Sequence, residues 1–83
     1  MIAAQVALYP LGTTDPGEAI KEALAALDDG LSPGVSYEVG EMSTVLRGDD
    51  DAVWRAVRRL FEAGAAGGGQ VVLVTTVSNV CGC

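Results

Sequence analysis

The sequence predicts an α+β domain in which four antiparallel strands form one sheet and two helices cover one of its faces, in the chain order β-α-β-β-α-β. Three observations predict it. Two stretches, near 16–29 and 50–64, carry apolar residues at three-to-four spacing, the period of a half-buried helix. Four shorter runs, at 2–8, 35–39, 42–47 and 70–78, are largely apolar or alternate with polar residues, as strands do. Finally, 83 residues fit one domain, residues 1–83, and leave little room for a second.

The first strand, Ile2 to Leu8, is broken only by Gln5 and is expected to stop before Pro10 and Gly12, which oppose further pairing. Asp15 then stands where a helix cap belongs, with Pro16 at the first helical position and Glu18 placed to complete a capping box. Ala19, Ile20, Ala23, Leu24 and Leu27 share one face of that helix, which runs to about Asp29 and ends near Gly30. After the Ser32-Pro33-Gly34 turn, Val35, Tyr37 and Val39 alternate with Ser36, Glu38 and Gly40 in a second strand. Met42 to Arg47 makes a third, joined to the second by a hairpin near Gly40 and Glu41. Gly48 closes it. Asp49, Asp50 and Asp51 open the next helix, where negative charge meets unpaired backbone N–H groups.

This second helix is expected to bury Val53, Val57, Leu60, Phe61 and Gly64, and to turn Arg55, Arg58 and Arg59 outward toward its carboxyl end, while Trp54 covers the helix–sheet seam or a helix edge. Gly67-Gly68-Gly69 reads as a turn, lacking the Lys-Ser/Thr pair of a phosphate loop. Gln70 to Ser78, rich in Val and Thr, is the last strand.

With both helices on one side, the other face of the sheet has to meet water, a ligand or another chain. If Ala4, Val6 and Leu8 point at the helices, then Ala3, Gln5, Ala7 and Tyr9 lie on that open face. On the last strand the set Gln70, Val72, Val74, Thr76 and Ser78 is the better match for it. Such a surface is too aliphatic for a plainly solvated sheet and too polar for a dry core. It suits a small-molecule site with a few orienting groups, or an interface between copies.

Composition narrows the function. At 49% hydrophobic and 19% charged, with positive mean hydropathy, the chain is too apolar to be disordered. It is also apolar enough to suggest a second buried face, so self-association as a homodimer or homotetramer is expected. A formal charge of −6, with no Lys/Arg cluster, disfavours nucleic acid. No run reaches the length of a membrane helix and nothing resembles a signal peptide, so a cytoplasmic protein without a membrane partner is expected.

Chemically, the absence of histidine removes His-based triads and zinc–imidazole sites. Lys21 is the single lysine, and no base is spaced to activate Ser43, Thr75 or Ser78, so no enzymatic activity is expected. The three aspartates are accounted for by helix capping, and no metal or cofactor is assigned. Glu38 and Glu41, near Ser43 along the chain, could face a bound cation, although solvated strand-edge acids look the same. Cys81-Gly82-Cys83 offers two thiols with no further soft ligand, leaving a thiol- or metal-handling role open.

The stretch Val6-Ala7-Leu8-Tyr9-Pro10-Leu11-Gly12, the segment Met42-Ser43-Thr44-Val45-Leu46-Arg47-Gly48 entering an acidic helix start, and the valine-rich last strand together resemble the thiamine-binding, YkoF-like family over nearly the whole chain. The resemblance implies ferredoxin-like domains that associate through their sheets. It also implies non-enzymatic binding of a small molecule, thiamine or its hydroxymethylpyrimidine moiety, on the open face near a subunit boundary. By position Tyr9 matches the tyrosine of the first-strand motif, and Ser43 and Thr44 match the polar pair of the third. Because neighbouring residues alternate across a strand, only one of that pair is expected to face ligand, Ser43 if it shares the side of Val45 and Arg47. Gln5 and Thr76 are placed beside them on geometric grounds, and Glu38 as the acid nearest a cationic ligand. The alternatives are a structural or regulatory sheet-to-sheet oligomer without ligand, or the thiol or metal role of the terminal cysteines.

Overall fold

The computed structural model describes residues 1–12, 15–29, 34–40, 43–66 and 69–80. Along the chain it forms β1 (Ile2–Leu11), α1 (Pro16–Asp29), β2 (Val35–Val39), β3 (Thr44–Gly48), α2 (Asp50–Ala65) and β4 (Gln70–Ser78). The four strands make one antiparallel sheet in the order β2-β3-β1-β4. The ferredoxin-like α+β fold expected from the sequence is therefore the one observed. The expectations for the residues 30–33, Glu41, Met42, Gly67-Gly68 and Cys81-Gly82-Cys83 lie outside the described residues.

Alternation along β1 sets up everything else. Ile2, Ala4 and Val6 are buried against the helices, whereas Gln5 and Tyr9 are exposed on the other side. Leu46 and Thr44 of β3 join the buried side, and so do Ala23 and Leu27 of α1 and Ala52, Val53, Ala56 and Leu60 of α2. Each fully buried Leu or Val in that layer contributes about 1.5–3 kcal/mol of hydrophobic stabilisation. Gly64 lets α2 approach the sheet: a Cβ there would come within 3.1 Å of a Leu8 methyl and 3.6 Å of Val71.

Capping follows the sequence at α1, where the Glu18 amide donates to Asp15 Oδ1 at 3.1 Å. At α2 the Asp49 backbone is extended in the cap position, but its side chain makes no cap hydrogen bond. Its amide instead donates to the Gly34 carbonyl at 3.0 Å, which ties the start of α2 to the start of β2. Gly48, at φ +153°, packs against Gly34 and Val35 so closely that a Cβ would collide with the Gly34 carbonyl oxygen. The glycine thus does more than end a strand.

Three expectations need correction. β1 does not stop at Leu8 but runs through Pro10, which pairs with Val71 of β4. Pairing of β1 with β3 ends at Val6–Thr44, so Pro10 lies where β1 has a strand neighbour on one side only among the described residues, a position where a missing N–H is tolerated. Phe61 is 44% exposed rather than buried, because the small residues Ala52 and Ala56 take the inner face of α2 and rotate the contact stripe away from it. The arginines of α2 sit mid-helix, and its last turn carries no base. No helix among the described residues is long and apolar enough to cross a membrane.

Candidate functional site

Register places the open-face residues in rows. Glu38, Val45, Gln5 and Thr76 form one row across β2, β3, β1 and β4, and Ser36, Arg47, Ala3 and Ser78 form the next. Further along β1, Ala7 stands opposite Val74 and Tyr9 opposite Val72. Ser43 precedes β3 and is the next residue in register beyond Thr44, so it falls beside Ala7. The β2–β3 hairpin closes there, with the Gly40 amide donating to the Ser43 carbonyl at 2.8 Å.

Ala7 is the reason a hollow exists. Its methyl stands between the longer side chains of Gln5 and Tyr9 on the same strand, which leaves a depression about 250 Å³ in volume, walled by Gln5, Ala7, Tyr9, Ser43, Val74 and Thr76. The Gln5 amide nitrogen donates to the Ser43 hydroxyl at 3.0 Å, so the two polar groups on the β3 side are mutually oriented. Tyr9, 51% exposed, presents an aromatic ring, and Val72 and Val74, at 45% and 53%, leave apolar surface beside it. The hollow therefore offers one amide, two hydroxyls, a phenol and aliphatic walls. Such a set can hydrogen-bond the donors and acceptors of a flat heterocycle and cover its faces.

Four of the residues anticipated from the sequence, Gln5, Tyr9, Ser43 and Thr76, meet in this one hollow. Thr44 lies apart from them. It is 7% exposed on the helix side of the sheet, where it lines a separate crevice of about 100 Å³ between α1 and the strands. Glu38 is exposed at the β2 end of the Gln5 row, two strand spacings or roughly 10 Å from β1, and its carboxylate stands 3.9 Å from an Arg47 guanidinium nitrogen. Arg47 Nε is buried and has no hydrogen-bond partner among the described residues.

Sequence reasoning assigned Ala7 and Val74 to the open face without giving them a role in the site. Their signal was the small residue at an alternate position of β1, which becomes a floor only once the neighbouring strands are in register. Among the described residues no group of three or more Cys, Asp or Glu side chains is gathered as a metal site.

Known proteins match both the sequence and the fold. A family model described as the YKOF-related family matches residues 1–83. A domain of unknown function from Bacillus cereus is 25% identical, with a TM-score of 0.77 over 93% of this chain and 73% of the other. A hypothetical protein from Methanocaldococcus jannascii is 22% identical, with a TM-score of 0.79 over 98% of this chain and 81% of the other. A Thermotoga maritima protein, provisionally described as a thiamine biosynthesis/salvage protein, is 19% identical, with a TM-score of 0.74 over 93% and 81% of the two chains. No curated protein matches the sequence.

Proposed function

Because this chain belongs to the YkoF-related family, we propose that it is a non-catalytic binding protein for thiamine or its hydroxymethylpyrimidine moiety, held on the open face of the sheet. The observation that carries the reading is the convergence of Gln5, Tyr9, Ser43 and Thr76 on one hollow. An aminopyrimidine presents an amino donor and ring-nitrogen acceptors in one plane, and the Gln5 amide with the Ser43 and Thr76 hydroxyls can satisfy both kinds. Tyr9 supplies a ring to stack on the pyrimidine or to face the cationic thiazolium. Glu38, at the far end of the same row, supplies negative charge toward which the thiazolium would be directed. The net charge of −6 acts in the same sense over longer range.

Binding rather than catalysis fits the groups in the hollow, since its hydroxyls and amide hydrogen-bond well but are weak acids and bases when nothing activates them. The structural neighbour from Thermotoga maritima, through its provisional thiamine description, adds support of the same kind. Tyr9, Leu11, Val72 and Val74 leave apolar surface exposed near the hollow, which favours a second copy closing over it as a homodimer or homotetramer.

Calorimetric titration with thiamine and hydroxymethylpyrimidine, with thiamine phosphate as comparison, tests the proposal. The expected result is saturable binding of the unphosphorylated ligands, weakened in Tyr9→Ala. Absence of heat with all three ligands in a folded protein would overturn it and leave the open face to association between copies.

A further inference from the structure

The outer side of the helix layer has a patch that neither the core nor the hollow accounts for. On α2, Trp54 is 52% and Phe61 44% exposed, two turns apart, with Arg58 between them and Arg55 beside it. Exposed aromatics grouped with arginine are the residues that most often carry protein contacts. In a chain of charge −6, residues 52–61 hold three arginines and no acid, and Arg55 makes no ion pair among the described residues. The outer side of α1 is the complement. Glu18, Glu22 and Asp28 are exposed there against the single base Lys21, and Ala25 is exposed and small. The last turn of α1 also carries no base of its own to offset its unpaired carbonyls.

We propose that these two surfaces form one interface between copies of this chain, with α1 of each copy lying along α2 of the other. Symmetry makes the choice. A two-fold axis across the helices would set α1 on α1 and α2 on α2, acid on acid and arginine on arginine, whereas an axis along the helices sets α1 on α2 at both contacts. The second arrangement also fixes which residues meet. β1 and β3 are antiparallel, and each is followed by a helix that runs back over the sheet, so α1 and α2 run in opposite directions. Arg59 Nε donates to the Ala26 carbonyl at 3.0 Å, which sets residues 59 and 26 roughly level. Rotation about an axis along the helices preserves that level. Phe61 therefore comes over the small Ala25 of the second copy, and Arg58 comes beside its Asp28 and the negative end of its α1, with Trp54 at the margin.

Helices of 14 and 16 residues lying side by side present a face of about 400 Å² per copy, below the roughly 800 Å² of a stable interface. The contact is therefore reversible. It lies on the side of the sheet opposite the hollow and stands independently of the pyrimidine-binding reading.

Sedimentation equilibrium over a concentration series tests the contact on the unaltered protein, on Arg58→Asp and on Asp28→Arg, with the emission of Trp54, the single tryptophan, as a second readout. Each variant alone sets like charges together at both symmetry-related contacts and should weaken self-association about tenfold. An equimolar mixture of the two variants sets opposite charges together at both contacts and should restore it. Asp28→Arg also loses the bond from Tyr37, a loss the mixture shares, so restoration on mixing isolates the charge. Arg58→Asp, at a side chain 80% exposed, should keep its urea midpoint, which separates weaker association from weaker folding. Trp54 emission should move to shorter wavelength with the same concentration dependence as association. Self-association unchanged by either variant would place it on the sheet side and overturn the proposal, as would a mixture no stronger than its components. A protein that stays monomeric up to about 1 mM would overturn it too and leave this face to a foreign acidic partner.

Discussion

The Gln5 amide donates to the Ser43 hydroxyl at 3.0 Å, joining the middle of β1 to the hairpin that precedes β3. The bond lies at the surface and links residues 38 positions apart in sequence. Its contribution to folding is small because water competes for both partners, whereas under the proposed function both groups contact the bound ring. Gln5→Ala and Ser43→Ala are each expected to weaken pyrimidine binding about five- to tenfold, the loss of one hydrogen bond, while stability changes by less than about 0.5 kcal/mol. The double variant should lose less than the product of the two single effects. Calorimetry with urea unfolding on the same samples checks all three statements.

Gly48 makes the opposite prediction. Its positive φ and its approach to Gly34 and Val35 leave no place for a side chain, and the nearest obstacles are backbone. Gly48→Ala should cost about 3 kcal/mol through strain and displaced pairing. Urea unfolding should show a lower midpoint with an unchanged slope.

Arg59 joins the two helices, with its Nε donating to the Ala26 carbonyl in the last turn of α1 at 3.0 Å. A cationic donor on a terminal carbonyl satisfies a group the helix leaves unpaired and opposes its negative end. Arg59→Ala should cost about 1 kcal/mol, and hydrogen exchange should quicken at the carboxyl end of α1 before it does elsewhere.

Tyr37 donates its hydroxyl to Asp28 Oδ1 at 3.1 Å. That bond is the largest cause raising the tyrosine above its ordinary pKa, followed by burial and by the carboxylate charge. A raised folded-state value means the contribution to stability is fully present below the unfolded pKa of about 10 and is lost as pH rises through the folded one. Ultraviolet titration should therefore show one tyrosine ionising later than in unfolded protein. Tyr37→Phe should lower stability at pH 7 by no more than about 1 kcal/mol, since the bond is partly solvated.

What could be seen in the sequence follows from which forces are local. Val72, Val74 and Thr76 announced their shared face because strand alternation is a property of consecutive residues, and Asp15 announced its cap for the same reason. Pro10 departs from its expected place because its tolerance depends on how far β3 extends along β1, a fact about a segment more than 30 residues away. Phe61 departs from its expected place because a helix stripe with alanines on one flank can rotate by a fraction of a turn without violating its period. Gln5, Tyr9 and Thr76 were legible as open-face residues, but the floor made by Ala7 and the bond from Gln5 to Ser43 depend on register and exist only when three strands are aligned.

The alternation of β1 also divides the hereditary constraints on this chain. Ala4 and Val6 answer to packing, and Gln5, Ala7 and Tyr9 to whatever the open face meets, so substitutions at the odd positions 5, 7 and 9 alter the open face while those at positions 4 and 6 cost core packing. Point changes at the odd positions can therefore alter the open face at little structural risk. A one-residue insertion or deletion within the strand cannot, because it would exchange the two sets at once and turn the core residues outward and the open-face residues toward the helices. The open face of this strand tolerates replacement and does not tolerate changes in length.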